Sequence, residues 1–174
     1  MNLIIFDIDE TLADRKTGEL LLGIREWWLD TEHSEQFAIA TNQGGVGLRY
    51  WMEQAGFGDP EQYPTEAQAR AHIQRVIDQL HPSFKPYVCF AYQSQRSGKW
   101  SPTPPGCEGL PEWNPANRKP APGMLLQAMK DAGVGPEQTT YVGNDIEDYM
   151  AAKAAKCKFR YAQEFFGRGK KVEK

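Results

Sequence analysis

Two aspartates, Asp7 and Asp9, stand at the end of the short apolar run Leu3-Ile4-Ile5-Phe6. Side chains alternate along extended backbone, so carboxylates spaced i, i+2 point the same way. Side by side they repel each other and lose hydration, a cost that a cation or a reacting phosphate offsets. A polar turn after a strand would also be rich in Asp, and this stretch by itself leaves both readings open. Three further groups have chemistry to offer. Thr41 and Asn42 follow the apolar run Phe37-Ala38-Ile39-Ala40 and open a glycine-rich turn, Gln43-Gly44-Gly45. Arg118 and Lys119 precede Pro120, and Asn144, Asp145 and Asp148 follow the run Thr139-Thr140-Tyr141-Val142-Gly143. Carboxylate oxygens without a His/Cys set suit a hard cation, Mg²⁺ above all. A hydroxyl and turn amides can receive phosphate oxygens, and a lysine can neutralise their charge. Taken singly, each has a plain reading: a turn at Thr41-Asn42, a solvated Lys119, helix caps at Asp145 and Asp148.

What joins these groups is the order of the elements that would carry them. Short apolar runs predict strands at 3–6, 36–41, 87–92, 139–143 and 158–161. Helical spacing predicts helices at 23–35, 48–56, 65–80, 122–132 and 145–155, with Thr65 as an N-cap and Pro122 and Gly133 bracketing the fourth. Residues 10–20 read as a small hairpin projection. Strands alternating with helices argue an α/β fold, a three-layer α/β/α arrangement with a mostly parallel central sheet. Ligands of such sheets sit off the carboxyl ends of the strands. Asp7 and Asp9, Thr41 and Asn42, and Asn144 and Asp145 would all meet at that edge, and Lys119 can reach it. Turn-making alone would hardly place three such clusters at three strand ends.

Residues 93–121 stand apart. They hold Pro102, Pro104, Pro105, Pro111, Pro115 and Pro120 together with Trp100 and Trp113. Such a stretch is too proline-rich for regular structure and too aromatic for a mere linker. Basic and aromatic residues here (Arg96, Lys99, Arg118, Lys119, Trp100, Trp113) could grip a nucleic-acid end by phosphate contact and stacking. Alternatively, the tryptophans anchor the loop on the body. The expected organisation is one domain over 1–167 with 93–121 inserted, and a basic tail over 168–174.

A chain of 174 residues with 40% hydrophobic and 25% charged content is ordinary for a globular protein. Its formal charge of −3 argues against bulk electrostatic binding to nucleic acid. Three irregularly spaced cysteines, Cys89, Cys107 and Cys157, make a disulfide framework improbable and fit a reducing compartment. Asp7 breaks the N-terminal apolar run, which argues against a signal peptide, and no stretch nears the roughly 18 apolar residues of a membrane span. The expected setting is the cytoplasm, with no membrane partner; the sequence leaves oligomeric state open.

Asp7-Ile8-Asp9-Glu10-Thr11, Thr41-Asn42, Arg118-Lys119-Pro120 and Val142-Gly143-Asn144-Asp145 with Asp148 resemble, in order, the four motifs of the haloacid dehalogenase superfamily. The DxDxT form resembles its phosphatase branch. The longer runs Thr41 to Val46 and Arg118 to Met124 are similar to cap-less members, among them histidinol-phosphate, heptose-bisphosphate and polynucleotide 3′-phosphatases. The resemblance implies a Mg²⁺-dependent phosphomonoesterase acting on a sugar or metabolite phosphate or on a nucleic-acid 3′ end. Asp7 would be the nucleophile, ionised at its unperturbed pKa of about 4, and Asp9 the general acid and base. Thr11, Thr41, Asn42, Arg118 and Lys119 would bind the phosphoryl group. Asp7, the Asp9 carbonyl and an acid of the fourth motif would hold Mg²⁺. That motif departs from pattern: four residues before Asp148 stands Asn144, whereas the acid Asp145 is only three before it. Asp145 is the expected ligand, because a charged oxygen binds Mg²⁺ better than an amide, and Asp148 the residue that orients Lys119. Cys89, Cys107 and His81 lack the close pairing a zinc loop needs. A receiver-type signalling domain also combines acids, Mg²⁺, Thr and Lys, but it lacks an acid two residues beyond its phosphoacceptor. A catalytically inactive binding module is the remaining alternative.

Overall fold

The computed structural model describes residues 1–30 and 32–168. Its sheet is built from five strands, β1 (Leu3–Phe6), β2 (Gln36–Asn42), β3 (Lys85–Cys89), β4 (Thr139–Gly143) and β5 (Lys158–Tyr161). All pair in parallel in the order β3-β2-β1-β4-β5, which confirms the expected α/β architecture. The helices are α1 (Ile24–Asp30), α2 (Gly45–Ala55), α3 (Glu66–Gln79), α4 (Gly123–Ala132), α5 (Ile146–Ala155) and α6 (Ala162–Phe165). Because β1 lies centrally, the chain passes from it to β2 on one side and later reaches β4 on the other. A crevice forms where the strand order reverses in this way.

Alternation along the strands sends apolar side chains to both faces. Leu3, Ile5, Ala38, Ala40 and Tyr141 pack with Met124, Leu125 and Met129 of α4 and Ala151, Ala152 and Ala155 of α5. The run of alanines on α5 lets that helix lie close to the sheet. On the other face, Phe6, Phe37, Ile39 and Val142 meet Ile24, Ile73, Val76, Ile77 and Phe84, so α1, α3 and α6 form the third layer. Thr65 caps α3 with a reciprocal capping box to Gln68.

Several boundaries differ from expectation. α1 ends at Asp30 instead of reaching residue 35. The predicted strand 87–92 is shifted to Lys85–Cys89, because β2 offers no partner beyond Asn42, which pairs with Cys89. Beyond that point the backbone turns to other partners: the Phe90 amide donates to the Glu112 carbonyl and the Gly47 amide to that of Phe90. The short α6 was not expected. Of the predicted tail, residues 169–174 lie outside the described residues. Arg168 does not hang free, since its guanidinium donates to the Thr11 carbonyl at 2.7 Å.

The proline-rich stretch is partly ordered by 3₁₀ turns at Pro111–Trp113 and Pro115–Asn117. Trp113 is 5% exposed and packs with Phe90, Val46 and Ala69, so it anchors the loop and has no face to offer a ligand. Trp100 is 37% exposed. Trp113→Ala is therefore expected to cost about 3–5 kcal/mol of stability, and Trp100→Ala roughly 0.5 kcal/mol or less. Urea midpoints of the two variants check this; equal shifts would contradict the assignment.

Candidate active site

The Asp7 amide donates to the Val142 carbonyl at 2.9 Å, extending the β1–β4 ladder by one residue and delivering the Asp7 carboxyl to the carboxyl edge of the sheet. The chain then coils sharply. Amides of Thr11, Leu12 and Ala13 all donate to the Ile8 carbonyl, and Glu10 takes a left-handed φ of 61° to make the turn. A projection follows, closed by a bridge between Ala13 and Leu20.

Lys119 lies at the centre. It is 3% exposed, and its Nζ donates to Asp7 Oδ1 (3.0 Å), Asp148 Oδ1 (2.7 Å) and the Ala40 carbonyl (3.1 Å), with Tyr141 Oη at 2.6 Å. Asn42 holds the lysine in place through its main chain: Nδ2 donates to the Lys119 carbonyl and Oδ1 accepts from the Lys119 amide, each at 3.0 Å. The Asn42 side chain thus ties the end of β2 to the main chain of Lys119. Asp148 is equally committed. Its Oδ1 accepts from Tyr141 Oη, and its Oδ2 from the amides of Asn144 and Asp145. Asp148 thereby contacts the Lys119 ammonium while its other oxygen is fixed by main-chain amides.

Two buried carboxyls share one ammonium, and their protonation differs. Burial favours neutral Lys119, but Asp7 and Asp148 outweigh it and raise the lysine's pKa. Burial also opposes ionisation of Asp148, but Lys119, Tyr141 and the Asn144 amide bring its pKa down. Asp7 is left with the deficit: burial pushes it up to about 7, Lys119 only partly opposes this, and Asp148 adds to it. The ordinary carboxylate value expected from sequence does not apply to this pocket. Burial and the same acids hold the Tyr141 hydroxyl well above its usual range, so it remains a proton donor.

Asp9 sits in a different environment. His72 of α3 lies 2.8 Å from its Oδ1, and Gln43 Nε2 donates to its Oδ2 at 3.1 Å. Gln43 also donates to Thr41 Oγ1 at 2.9 Å, linking Asp9 to the buried hydroxyl of Thr41. The Asp9 hydrogen bond raises the His72 pKa above its ordinary value, against the effect of burial. His72 was not expected at the site, and Gln43 was expected there only as part of the glycine-rich turn.

Arg118 donates to the Ala91 carbonyl at 3.0 Å and lies over the ring of Tyr92. It also rests on Gly44, where a Cβ would displace the guanidinium from its present place. α2 begins at Gly45, so its N-terminal amides border the site, where a helix end favours anions. At the fourth motif, Asp145 is the N-cap of α5, its Oδ1 accepting from the amides of Glu147 and Asp148. Asn144 Oδ1 accepts from Thr11 Oγ1 at 3.5 Å. All the predicted site residues except Thr11 and Thr41 line one cleft of about 620 Å³, together with Gln43 and His72. Thr11 and Thr41 are buried just beneath it.

Among the described residues no cluster of three or more His, Cys, Asp or Glu side chains is arranged to hold a metal. Mg²⁺ needs less than that: one or two carboxylates, other oxygens and several waters. The deficit at Asp7 is the condition a cation would relieve, and the surrounding donors are hard oxygens. The site fits a Mg²⁺ ion on those grounds.

Residues 114–162 match the family model of the haloacid dehalogenase-like hydrolases. Over the longer span the chain is similar in fold to structures described as haloacid dehalogenase-like phosphatases. One such structure, a Mesorhizobium loti protein described as a HAD-like phosphatase, superposes with a TM-score of 0.62 at 19% identity, over 90% of this chain and 69% of that one. More particularly, the D,D-heptose 1,7-bisphosphate phosphatase of B. bronchiseptica, complexed with magnesium and phosphate, superposes with a TM-score of 0.60 at 19% identity, over 99% of this chain and 89% of that one. In sequence the chain is 51% identical over 41 residues to the D-glycero-beta-D-manno-heptose-1,7-bisphosphate 7-phosphatase of Pasteurella multocida. That stretch covers 24% of this chain and 22% of the relative. The resemblance drawn from the four motifs is borne out. No helix among the described residues is long and apolar enough to cross a membrane.

Proposed function

We propose that the protein is a Mg²⁺-dependent phosphomonoesterase acting on a phosphorylated sugar or similar small metabolite. The observation that carries this is the separation of the two aspartates into two environments. Asp7 lies against Lys119, while Asp9, two residues on, is held by His72 and Gln43. Carboxylates kept apart in this way can take different roles, nucleophile and proton carrier.

In the proposed reaction an Asp7 oxygen attacks phosphorus and the bond to the leaving oxygen breaks, while Asp9 gives that oxygen its proton. Water then attacks the aspartyl-phosphate, Asp9 accepts the water's proton, and Asp7 leaves as a carboxylate with release of inorganic phosphate. Lys119 and Thr41 orient the phosphoryl group and Lys119 neutralises its charge, while Asp148 and Tyr141 keep the ammonium in place. Arg118, at the cleft wall, would contact the phosphate or the rest of the substrate. Mg²⁺, held by the Asp7 carboxylate, the Asp9 carbonyl and Asp145 or Asn144, would supply further charge neutralisation. The second acid distinguishes this reading from a receiver-type domain, which keeps its phosphoryl group.

A sugar phosphate is preferred because the matched relatives are heptose-bisphosphate phosphatases. Burial of Trp113 also removes one of the two aromatic platforms that a nucleic-acid end would use. The test is release of inorganic phosphate from p-nitrophenyl phosphate and from a panel of sugar phosphates, nucleotides and 3′-phosphorylated oligonucleotides. Turnover with Mg²⁺ that EDTA abolishes, with sugar phosphates favoured, is expected. Metal-independent turnover, or none on any ester, would overturn the reading, and preference for oligonucleotides would overturn its substrate class.

A further inference from the structure

We propose that His72 is a positioning residue for proton transfer to the leaving group, holding the Asp9 carboxyl in the orientation that catalysis needs. This rests on the role given to Asp9 above. Both carboxyl oxygens of Asp9 are engaged, Oδ1 by His72 at 2.8 Å and Oδ2 by Gln43 at 3.1 Å. A carboxyl gripped at one oxygen alone can rotate about its side-chain bonds; gripped at both, it has a fixed plane. The two grips come from different elements, Gln43 from the end of β2 and His72 from α3.

Helix α3 is itself docked onto the projection that begins at Asp9. Gln79 Nε2 donates to the Gly18 carbonyl at 2.7 Å, and Arg75 pairs with Glu19. Gly18, at a φ of +70°, lies directly against His72 and Arg75: an added Cβ would stand 3.3 Å from His72 Nδ1 and 3.0 Å from Arg75 Cδ. His72 is therefore wedged from behind by the projection while its Nε2 meets Asp9. Nothing in this arrangement serves the core, since His72 lines the cleft beside Asp9 and Gln43. Proton transfer loses efficiency when the acid is misaligned by fractions of an ångström, so a fixed carboxyl matters for rate.

The test uses two esters in the same protein preparation. The p-nitrophenolate ion leaves without needing a proton, whereas the glycerol alkoxide of β-glycerophosphate needs one. The kcat/KM values report only steps through release of the alcohol, so hydrolysis of the aspartyl-phosphate does not enter. A general acid contributes about 10²–10⁴-fold. His72→Ala, which leaves the acid but loosens it, is expected to lower kcat/KM for β-glycerophosphate about tenfold more than for p-nitrophenyl phosphate. His72→Gln, whose amide can occupy the Nε2 position, should recover most of that difference. The ratio between esters does not change with the fraction of protein folded. Equal losses on both esters would overturn the role of His72. Asp9→Asn separates the two levels of the argument. A leaving-group-dependent loss in Asp9→Asn with a uniform loss in His72→Ala sinks only the positioning role. A uniform loss in Asp9→Asn sinks the proton-transfer role of Asp9 and the inference with it.

Discussion

Asp7→Asn is expected to abolish phosphate release and, at pH 8 in EDTA, to raise the melting temperature of the protein. Burial pushes the Asp7 pKa from 3.8 to about 7 in the folded chain. An acid whose folded pKa is raised is most comfortable protonated, so ionising it costs stability. That cost is absent below the ordinary value of 3.8, grows between there and 7, and is complete above 7. Asparagine keeps an oxygen for Lys119 and removes the charge, leaving Lys119 with Asp148 as a neutral pair. The relief should be on the order of 1–3 kcal/mol at pH 8, since each unit of displacement corresponds to about 1.4 kcal/mol at most. At roughly 2–4 °C per kcal/mol for a chain of this size, thermal melts should resolve it. The gain should vanish near pH 4. Saturating Mg²⁺ should shrink or reverse it, because only the wild-type carboxylate gains from the cation. A variant less stable than wild type at pH 8 in EDTA would show that Asp7 is not the strained group.

Much of this was legible in the chain because the sheet reports its own edge. Once the runs at 3–6, 36–41 and 139–143 are strands of one parallel sheet, Asp7, Thr41 and Asn144 must share a border, whatever their exact register. That Asp148 would orient Lys119 followed from the motifs. Tyr141 did not, although its place in β4 held the clue: it points to the same face as Ala40 of a nearby strand, and alanine leaves room for a hydroxyl to reach Lys119. His72 was invisible for a different reason. His72 lies 63 residues from Asp9, on a helix whose apolar face is set by Ala69, Ile73, Val76 and Ile77, and periodicity says nothing about what its neighbouring flank meets. The two tryptophans of the proline-rich stretch read alike in sequence. Burial separates them, because Phe90 and the 3₁₀ turn at Pro111–Trp113 enclose only one. At the fourth motif, sequence chose Asp145 over Asn144 for its charge, and the structure shows a competing duty: one Asp145 oxygen caps α5.

Lys119→Met is expected to have the opposite effect to Asp7→Asn, and a larger one. Methionine fills much of the space but leaves Asp7 and Asp148 buried together without the ammonium that each contacts, at 3.0 and 2.7 Å. Removing one partner of a buried ionic group typically costs about 3–5 kcal/mol, because uncompensated charge stays behind. The raised pKa of Lys119 means that its contribution is fully present below the ordinary lysine value of 10.5 and is lost only as pH climbs beyond the folded value. The deficit of the variant should therefore be complete at pH 8, with a fall in melting temperature on the order of ten degrees. It should ease toward pH 4, where the two acids can be protonated. Adding Asp148→Asn to Lys119→Met removes one of the stranded charges and should restore part of the loss, although Asp148 alone is well placed in the wild type by Tyr141 and two amides. Non-additivity of that kind is what a shared ion network produces, whereas independent packing defects would add. Two single losses that simply sum in the double variant would mean that Lys119 is held by its surroundings without holding them in turn.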